Sequence, residues 1–268
     1  MSAVQVPAAP RLSAIIITRN EAANIGACLA CLGFADECIV LDSNSEDGTV
    51  DIARAAGARV VQTDHWPGFG PQKNAALDLA RGRWVLSVDA DERISPALAE
   101  QILAAISSPG AHSAWRLPRR TRFLGRWIRH CGWTPDYVLR LFRRDCARFS
   151  DDLVHERVVL AQGRLGTLSV PIDHHSYPDL AAFWRKTEHF SRLWAHQQFA
   201  RGRRVSLLQA IASGLSAFLR SYLLRLGFLD GATGLVLCLL LGQGAFIKYL
   251  TLIELWRVAD AAQAGGQS

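Results

Sequence analysis

Between residues 12 and 106 the chain alternates four times between short runs of branched apolar residues and segments with helical spacing. Few folds accept that pattern. The run LSAIIIT at residues 12–18 is apolar at both alternating positions. It therefore predicts a strand covered on both faces, as in a parallel sheet. A helix is predicted over 21–32, closed by Gly33, and a second buried strand over 37–41. The polar turn DSNSEDG leads to a helix over 49–56 that stops at Gly57, and then to a strand over 59–62. Residues 71–80 read as a helix, 83–89 as a fourth strand, and 96–106 as a helix opened by Pro96. Strand and helix in strict alternation imply a βαβα domain with a mainly parallel sheet flanked by helices.

The chain has 268 residues, half of them apolar, enough for one large domain or a domain with an appendage. Its net charge of +6 points to anionic partners: nucleic acid, phosphorylated substrates or a membrane surface. The six cysteines include one C-x-x-C, Cys28 and Cys31, with no second pair at zinc spacing. They read as free thiols in a reducing compartment. The opening MSAVQVPAAPR lacks the apolar core of a signal peptide and reads as a flexible lead-in over 1–11.

Past residue 110 the pattern changes. Strand-like pieces are predicted at 113–117, 137–142, 154–160 and 168–172, with the arginine-rich RLPRRTRFLGRWIRHCGW among them. Beyond Pro178 the chain turns helical. Leu207, Leu208, Ile211, Leu215, Phe218, Leu219, Tyr222 and Leu226 share one helical face, while 234–253 is apolar nearly all round, broken by Gln243 and Lys248. The expected organisation is a lead-in over 1–11, a catalytic domain over 12–178 (a nucleotide-sugar half over 12–95, an acceptor half over 96–178), a helical region over 179–260 and a disordered tail over 261–268.

In an open α/β sheet ligands bind beyond the carboxyl ends of the strands. Three such ends are polar: Thr18-Arg19-Asn20-Glu21, Asp42-Ser43-Asn44-Ser45 and Asp89-Ala90-Asp91. Neither G-x-G-x-x-G nor G-x-x-x-x-G-K-[ST] is present, which argues against a dinucleotide or P-loop site. Asp42 suits a base N–H or a ribose hydroxyl. Asp89 and Asp91, two residues apart at a strand end, are expected to face one spot, where two negative charges need a cation or a proton between them. Oxygen ligands favour Mg²⁺ or Mn²⁺. Asp47 and Glu92 read as loop-solvating or helix-capping acids.

The stretches IIITRNEAANI, IVLDSNSEDGTVDIA, GFGPQKNAAL and WVLSVDADERI resemble the nucleotide half of family 2 glycosyltransferases, which have the GT-A fold. Farther on, GWTPDYVLRLFRRD, VHERV, DHHSY and FLRSYLLRLGFLDGATGL resemble the branch that adds a β-1,4-linked glucose to the inner-core heptose of lipopolysaccharide. The likeness covers roughly residues 12–258.

The resemblance implies an inverting, metal-dependent hexosyltransferase using a UDP-hexose and a lipid-linked saccharide acceptor. Asp91 would bind the metal, and Asp89 the ribose or, through water, the metal. Thr18, Asn20, Glu21 and Asp42 would border the nucleoside, and Lys73 and Asn74 would give a nucleotide contact. The resemblance also implies Glu156 as base with Asp152 as runner-up, His155 as a shaping residue and His174 as a third metal or phosphate ligand ahead of His175. Trp133, Asp136, Arg140 and Arg143 are the acceptor-side candidates. An alternative acceptor is a polyprenyl phosphate or capsule glycan. A nucleic-acid partner is not expected, since no nucleic-acid module is recognisable. Residues 201–268 carry seven Lys/Arg and three Asp/Glu, a net of +4. With the amphipathic stretch among them and the very apolar segment that follows it, they point to an anionic bilayer, at the cytoplasmic face of the bacterial inner membrane, with a peripheral or monotopic attachment favoured over a span.

Overall fold

The computed structural model describes residues 10–150, 156–177 and 179–265. The first part runs β1 (Leu12–Thr18), α1 (Ala22–Ala30), β2 (Glu37–Asp42), α2 (Thr49–Ala55), β3 (Arg59–Gln62), α3 (Phe69–Leu79), β4 (Trp84–Ser87), a two-residue β5 (Glu92–Arg93) and α4 (Pro96–Ser107). There follow β6 (His112–Phe123), β7 (Arg126–Trp127), β8 (Asp136–Arg143), β9 (Ala147–Phe149), β10 (Val158–Leu160), β11 (Arg164–Thr167) and β12 (Ile172–Tyr177). The chain closes with α5 (Leu180–Ala200), α6 (Leu207–Leu219) and α7 (Gly231–Gly265).

The main sheet has the order β3-β2-β1-β4-β8-β6-β12-β5, with β7 and β11 beside β6. β3, β2, β1 and β4 run parallel, and β8 then pairs antiparallel with both β4 and β6. This is the expected GT-A architecture, a mixed sheet flanked by helices, although the mainly parallel character holds only for the first half. Alternation along β1 explains why it is apolar throughout. Ala14 and Ile16 pack with Ile25 and Cys28 of α1 and Ile102 of α4, whereas Ile15 packs with Ala76 and Leu77 of α3. Both faces are dry, and each fully buried Ile or Leu stabilises by about 1.5–3 kcal/mol. All six cysteines are free.

Several strand limits differ from the sequence-based expectation. β4 ends at Ser87, although the Val88 N–H still donates to the Ile15 carbonyl at 3.0 Å. Residues 168–172 lie mostly between strands β11 and β12, β9 was not foreseen, and the strand expected over 154–160 is seen only as β10. Residues 151–155, among them Asp152 and His155, lie outside the described residues.

The described residues form two compact units. One runs through Arg119 and from Asp136 to His174; the other takes Arg120–Pro135 and the chain from His175 onward. Residues 120–135, which the sequence placed in the acceptor half, are thus compact with the C-terminal helices. In this second unit Phe123, Trp133, Tyr177 and Phe183 form an aromatic cluster, with Trp133 stacked on Tyr177 at 5.3 Å between centroids. α6 opens on a capping box in which Ser206 and Gln209 satisfy each other's backbone N–H. It crosses α7 closely at Gly214 and Gly242, where a Cβ on either glycine would lie 3.0 Å from the other's carbonyl oxygen. α7 continues to Gly265, past the expected helix limit at 260.

Candidate active site

The chain runs outward from β1 to β2 and β3 and then returns to β4 on the other side of β1. Such a reversal opens a crevice at the carboxyl ends of the strands. The register Thr18↔Asp42 brings two of the polar ends together. Thr18 Oγ1 donates to Asp42 Oδ2 at 2.8 Å, and the Ser45 N–H donates to Asp42 Oδ1 at 2.9 Å. Asp42 is fully buried, so these donors are what keeps its charge tolerable. Asn20 adopts the left-handed region (φ 57°), and its side-chain oxygen accepts from the Glu46 N–H at 2.9 Å. Its own N–H reaches Ser45 Oγ at 2.8 Å. The Glu21 N–H donates to Thr49 Oγ1 at 2.8 Å. The first two loops are therefore laced into one rim. Asp47 caps α2 through the Thr49 N–H at 3.0 Å, as the sequence suggested.

The third end departs from expectation. Asp89 and Asp91 lie in a turn after β4, not on a strand, so period-two alternation does not aim them at one spot. Glu92 closes the turn: its N–H donates to the Asp89 carbonyl at 2.9 Å while its Oε2 accepts from the Asp89 N–H at 3.0 Å. Glu92 was read as a solvated loop acid, yet it is fully buried. The compensating cation is Arg140. The register Leu86↔Leu141 places Arg140 on β8 level with the end of β4. Its Nη2 donates to Glu92 Oε1 at 2.6 Å and also to Asp89 Oδ2. Arg140 was expected on the acceptor side; it is instead a buried clasp on the Asp-Ala-Asp turn.

Asp89 has a second cation. Lys73, buried on α3, places Nζ 3.0 Å from Asp89 Oδ1 and 2.8 Å from Glu156 Oε1. Burial pushes the Asp89 carboxyl up, but Arg140 and Lys73 outweigh it and hold it well below the usual carboxylate range. On the other flank Arg119 lies 3.7 Å from Glu92 and 2.6 Å from Asp136. Charges of alternating sign thus run from Asp136 through Arg119, Glu92, Arg140, Asp89 and Lys73 to Glu156. Glu156 sits in the approach to β10, ahead of the strand in which it was expected.

Asn74, expected at the nucleotide, spends its amide on Phe149: Nδ2 donates to the carbonyl at 2.9 Å and Oδ1 accepts from the N–H at 3.0 Å. Arg143 faces Trp84, the first residue of β4, because β8 runs antiparallel. It is therefore at the far end of the strand from Asp89, and its partner is Asp145 at 3.3 Å. Trp133 belongs to the aromatic cluster of the second unit, where His175 also packs against Trp127 at 5.5 Å. Of the acceptor-side candidates in the first unit, Asp136 and Arg140 fall on the one line of charges, whereas Arg143 lies at the other end of β8.

β12 pairs His174 with Glu92 of β5, one residue from Asp91, and His174 Nε2 comes 3.4 Å from Asp91 Oδ2. Among the described residues no group of three or more His, Cys, Asp or Glu forms a metal cage. An Asp–His pair nevertheless fits a hard divalent cation that takes its remaining ligands from substrate phosphates and water. Asp89 fits that role less well, since both its oxygens already face cations.

Sequence reasoning missed the partnership of Glu92 with Arg140 and Arg119, and the buried Gln72, whose Nε2 donates to Ser43 Oγ at 2.8 Å. One signal was present. A lone arginine inside the apolar run YVLRLF is rarely buried without a carboxylate to meet it.

Residues 13–158 match the model of Glycosyl transferase family 2. The chain is 31% identical over 263 residues to the lipopolysaccharide core biosynthesis glycosyltransferase LpsC of Rhizobium meliloti (strain 1021), covering 94% of each chain. It is 28% identical over 265 residues to an uncharacterized glycosyltransferase of Rickettsia bellii (strain RML369-C), covering 91% of this chain and 87% of the other. Among solved structures, glucosyl-3-phosphoglycerate synthase from Mycobacterium tuberculosis with Mn²⁺, UDP and glucosyl-3-phosphoglycerate superposes with a TM-score of 0.47 at 20% identity, covering 63% of this chain and 73% of that one. S. aureus TarS 1–349 in complex with UDP gives 0.46 at 18% identity, covering 93% and 92%.

Proposed function

The chain belongs to glycosyl transferase family 2, and from that premise we propose that it moves a hexose, glucose from UDP-glucose, onto a heptose of the lipopolysaccharide inner core with inversion at the anomeric carbon. The likeness to LpsC along nearly the whole chain supports the acceptor class. With that acceptor the enzyme works at the cytoplasmic face of the bacterial inner membrane. The observation that carries the chemistry is the bridge in which Lys73 links Asp89 to Glu156. It ties the carboxylate read as base to the strand end read as donor site, although 83 residues separate Lys73 from Glu156 in sequence.

In this reading Glu156 accepts the proton of the acceptor hydroxyl. The hydroxyl oxygen bonds to the anomeric carbon as the bond from that carbon to the diphosphate opens, and UDP leaves with the bonding pair. Lys73 fixes the direction of the Glu156 carboxylate. Asp89, held rigid by Lys73 and Arg140, is left to contact the ribose, and Thr18, Asn20, Glu21 and Asp42 border the nucleoside. A divalent cation, Mg²⁺ or Mn²⁺, would be held by Asp91 and His174 and, when bound, would stabilise charge on the departing diphosphate.

A donor screen tests this. The purified full chain with Mg²⁺ or Mn²⁺, a panel of UDP-sugars and a core lipid truncated at the heptose is expected to add one hexose, read by mass spectrometry, with UDP-glucose preferred. Transfer to a polyprenyl phosphate but not to the core lipid would overturn the acceptor assignment. Transfer from UDP-galactose alone would overturn the donor.

A further inference from the structure

The second unit carries a feature that the transfer reaction does not use. Around α6 and the π-helical turn that continues it (Arg220–Leu224), three stripes run lengthwise at the 3.6-residue period. Ala210, Gly214 and Ser221 are buried, with Gly214 against α7. Gln209, Ser213, Ser216 and Arg220 form a polar stripe. Between them Leu207, Leu208, Ile211, Leu215 and Leu219 stand exposed, Leu208 at 74% of its surface. Exposed apolar side chains follow along the chain at Leu223, Leu224 (80%), Leu226, Phe228 and Leu229, and at Leu235, Val236 and Leu239 of α7. Isolated exposed leucines are ordinary, but a continuous run of this kind marks an interaction surface.

We propose that this leucine surface is a membrane-docking face that lies in the plane of an anionic bilayer, with α6 parallel to the surface. The charge pattern selects the occupant. Between Glu188 and Asp230 the chain has no acidic residue but six arginines: Arg192 and Arg204, which pair with Glu188 and Asp260, and Arg201, Arg203, Arg220 and Arg225. A second copy of the chain would bring the same arginines against these, whereas anionic headgroups complement them.

The stripes select the orientation. In a helix crossing the bilayer, the polar stripe from Gln209 to Arg220 would run through hydrocarbon; in a helix lying in the interface it stays among water and headgroups. α7 also has the length and mean hydropathy of a span. However, α5 packs on it at Tyr249, through Trp194 at 5.0 Å, and exposes Glu188, His189 and Arg192. The inference is independent of the proposed transfer reaction, because vesicle binding is measured without donor or acceptor.

The test is flotation of the full chain with vesicles of phosphatidylethanolamine and phosphatidylglycerol, and with phosphatidylcholine alone. The wild-type chain is expected to float with the anionic vesicles, to bind the neutral ones less, and to be released by alkaline carbonate. The triple variant Leu208→Gln/Leu215→Gln/Leu224→Gln is expected to lose at least about a hundredfold in partitioning, since three leucines then stay out of the apolar phase. Should that variant fail to fold, Arg201→Glu/Arg220→Glu provides the second readout, with binding to anionic vesicles reduced and binding to neutral ones unchanged. Resistance to carbonate would overturn the in-plane orientation in favour of a span. If the triple variant floats like wild type while a wild-type dimer becomes monomeric, a second copy covers the face and the proposal fails. Unchanged flotation of both variants also sinks it.

Discussion

The two units treat unfavourable groups in opposite ways. In the first, Asp42, Lys73, Glu92 and Arg140 are withdrawn from water, where an unpaired charge costs far more than any single apolar contact contributes. Each meets its counterpart inside the unit: Asp42 the hydroxyls of Thr18 and Ser45, Glu92 the guanidinium of Arg140, and Lys73 the carboxylates of Asp89 and Glu156. In the second, large apolar groups such as Leu208 and Leu224 are left in water, and nothing within the unit offsets them. A self-contained charge network points to a site arranged in advance for chemistry, while an uncompensated apolar face points to something outside the chain.

The sharpest way to break this contrast is catalytic. Glu156→Gln keeps shape and removes the base, so kcat is expected to fall by about a hundred- to ten-thousand-fold. UDP affinity by calorimetry should stay nearly intact. A fall in UDP affinity instead would make Glu156 a donor-positioning residue.

Stability gives the next largest effect. Glu92→Ala takes from the buried Arg140 one of its two carboxylates and leaves Asp89 as the other, and losing one partner of a buried pair costs up to about 3–5 kcal/mol. Leu208→Gln, in contrast, is expected to change unfolding free energy by no more than about 0.5 kcal/mol, as surface substitutions do. Denaturant unfolding of the two variants side by side decides whether the leucines are truly unpacked in solution; equal losses would erase the contrast.

Acid sharpens it further. The Asp89 carboxyl titrates lower in the folded chain than in the unfolded one, so its contribution to stability is complete above about pH 4. That contribution declines as the pH falls through the folded value, because the unfolded chain then binds more protons. Unfolding free energy measured on acidification should therefore drop less in Asp89→Asn than in wild type. Parallel curves would mean that other carboxylates carry the acid sensitivity.

The smallest effect compares helix caps. Ser95 accepts from the Leu98 N–H at the start of α4, and Ser206 from the Gln209 N–H at the start of α6. Replacing either by Ala should cost about 1 kcal/mol. If the second unit is stabilised further by lipid, adding anionic vesicles should mask the loss at Ser206 but not at Ser95, as thermal melts would show.

Much of this molecule was legible along the chain because the relevant forces are local. The parallel strands and their helices follow from apolar periodicity, turn residues and caps within windows of about ten residues, and β3 falls where the pattern put it. The leucine stripe of α6 was equally legible, since 3.6-residue spacing sets which side chains share a face. Its exposure was not, because that depends on where α7 packs. The partnership of Glu92 with Arg140 likewise lay beyond local reading. The two residues are 48 positions apart and meet only because β8 runs antiparallel beside β4 in one particular register. The same register carries Arg143 away to the other end of the strand. Periodicity along one segment determines which faces are apolar, but which buried charge meets which depends on the pairing of distant strands.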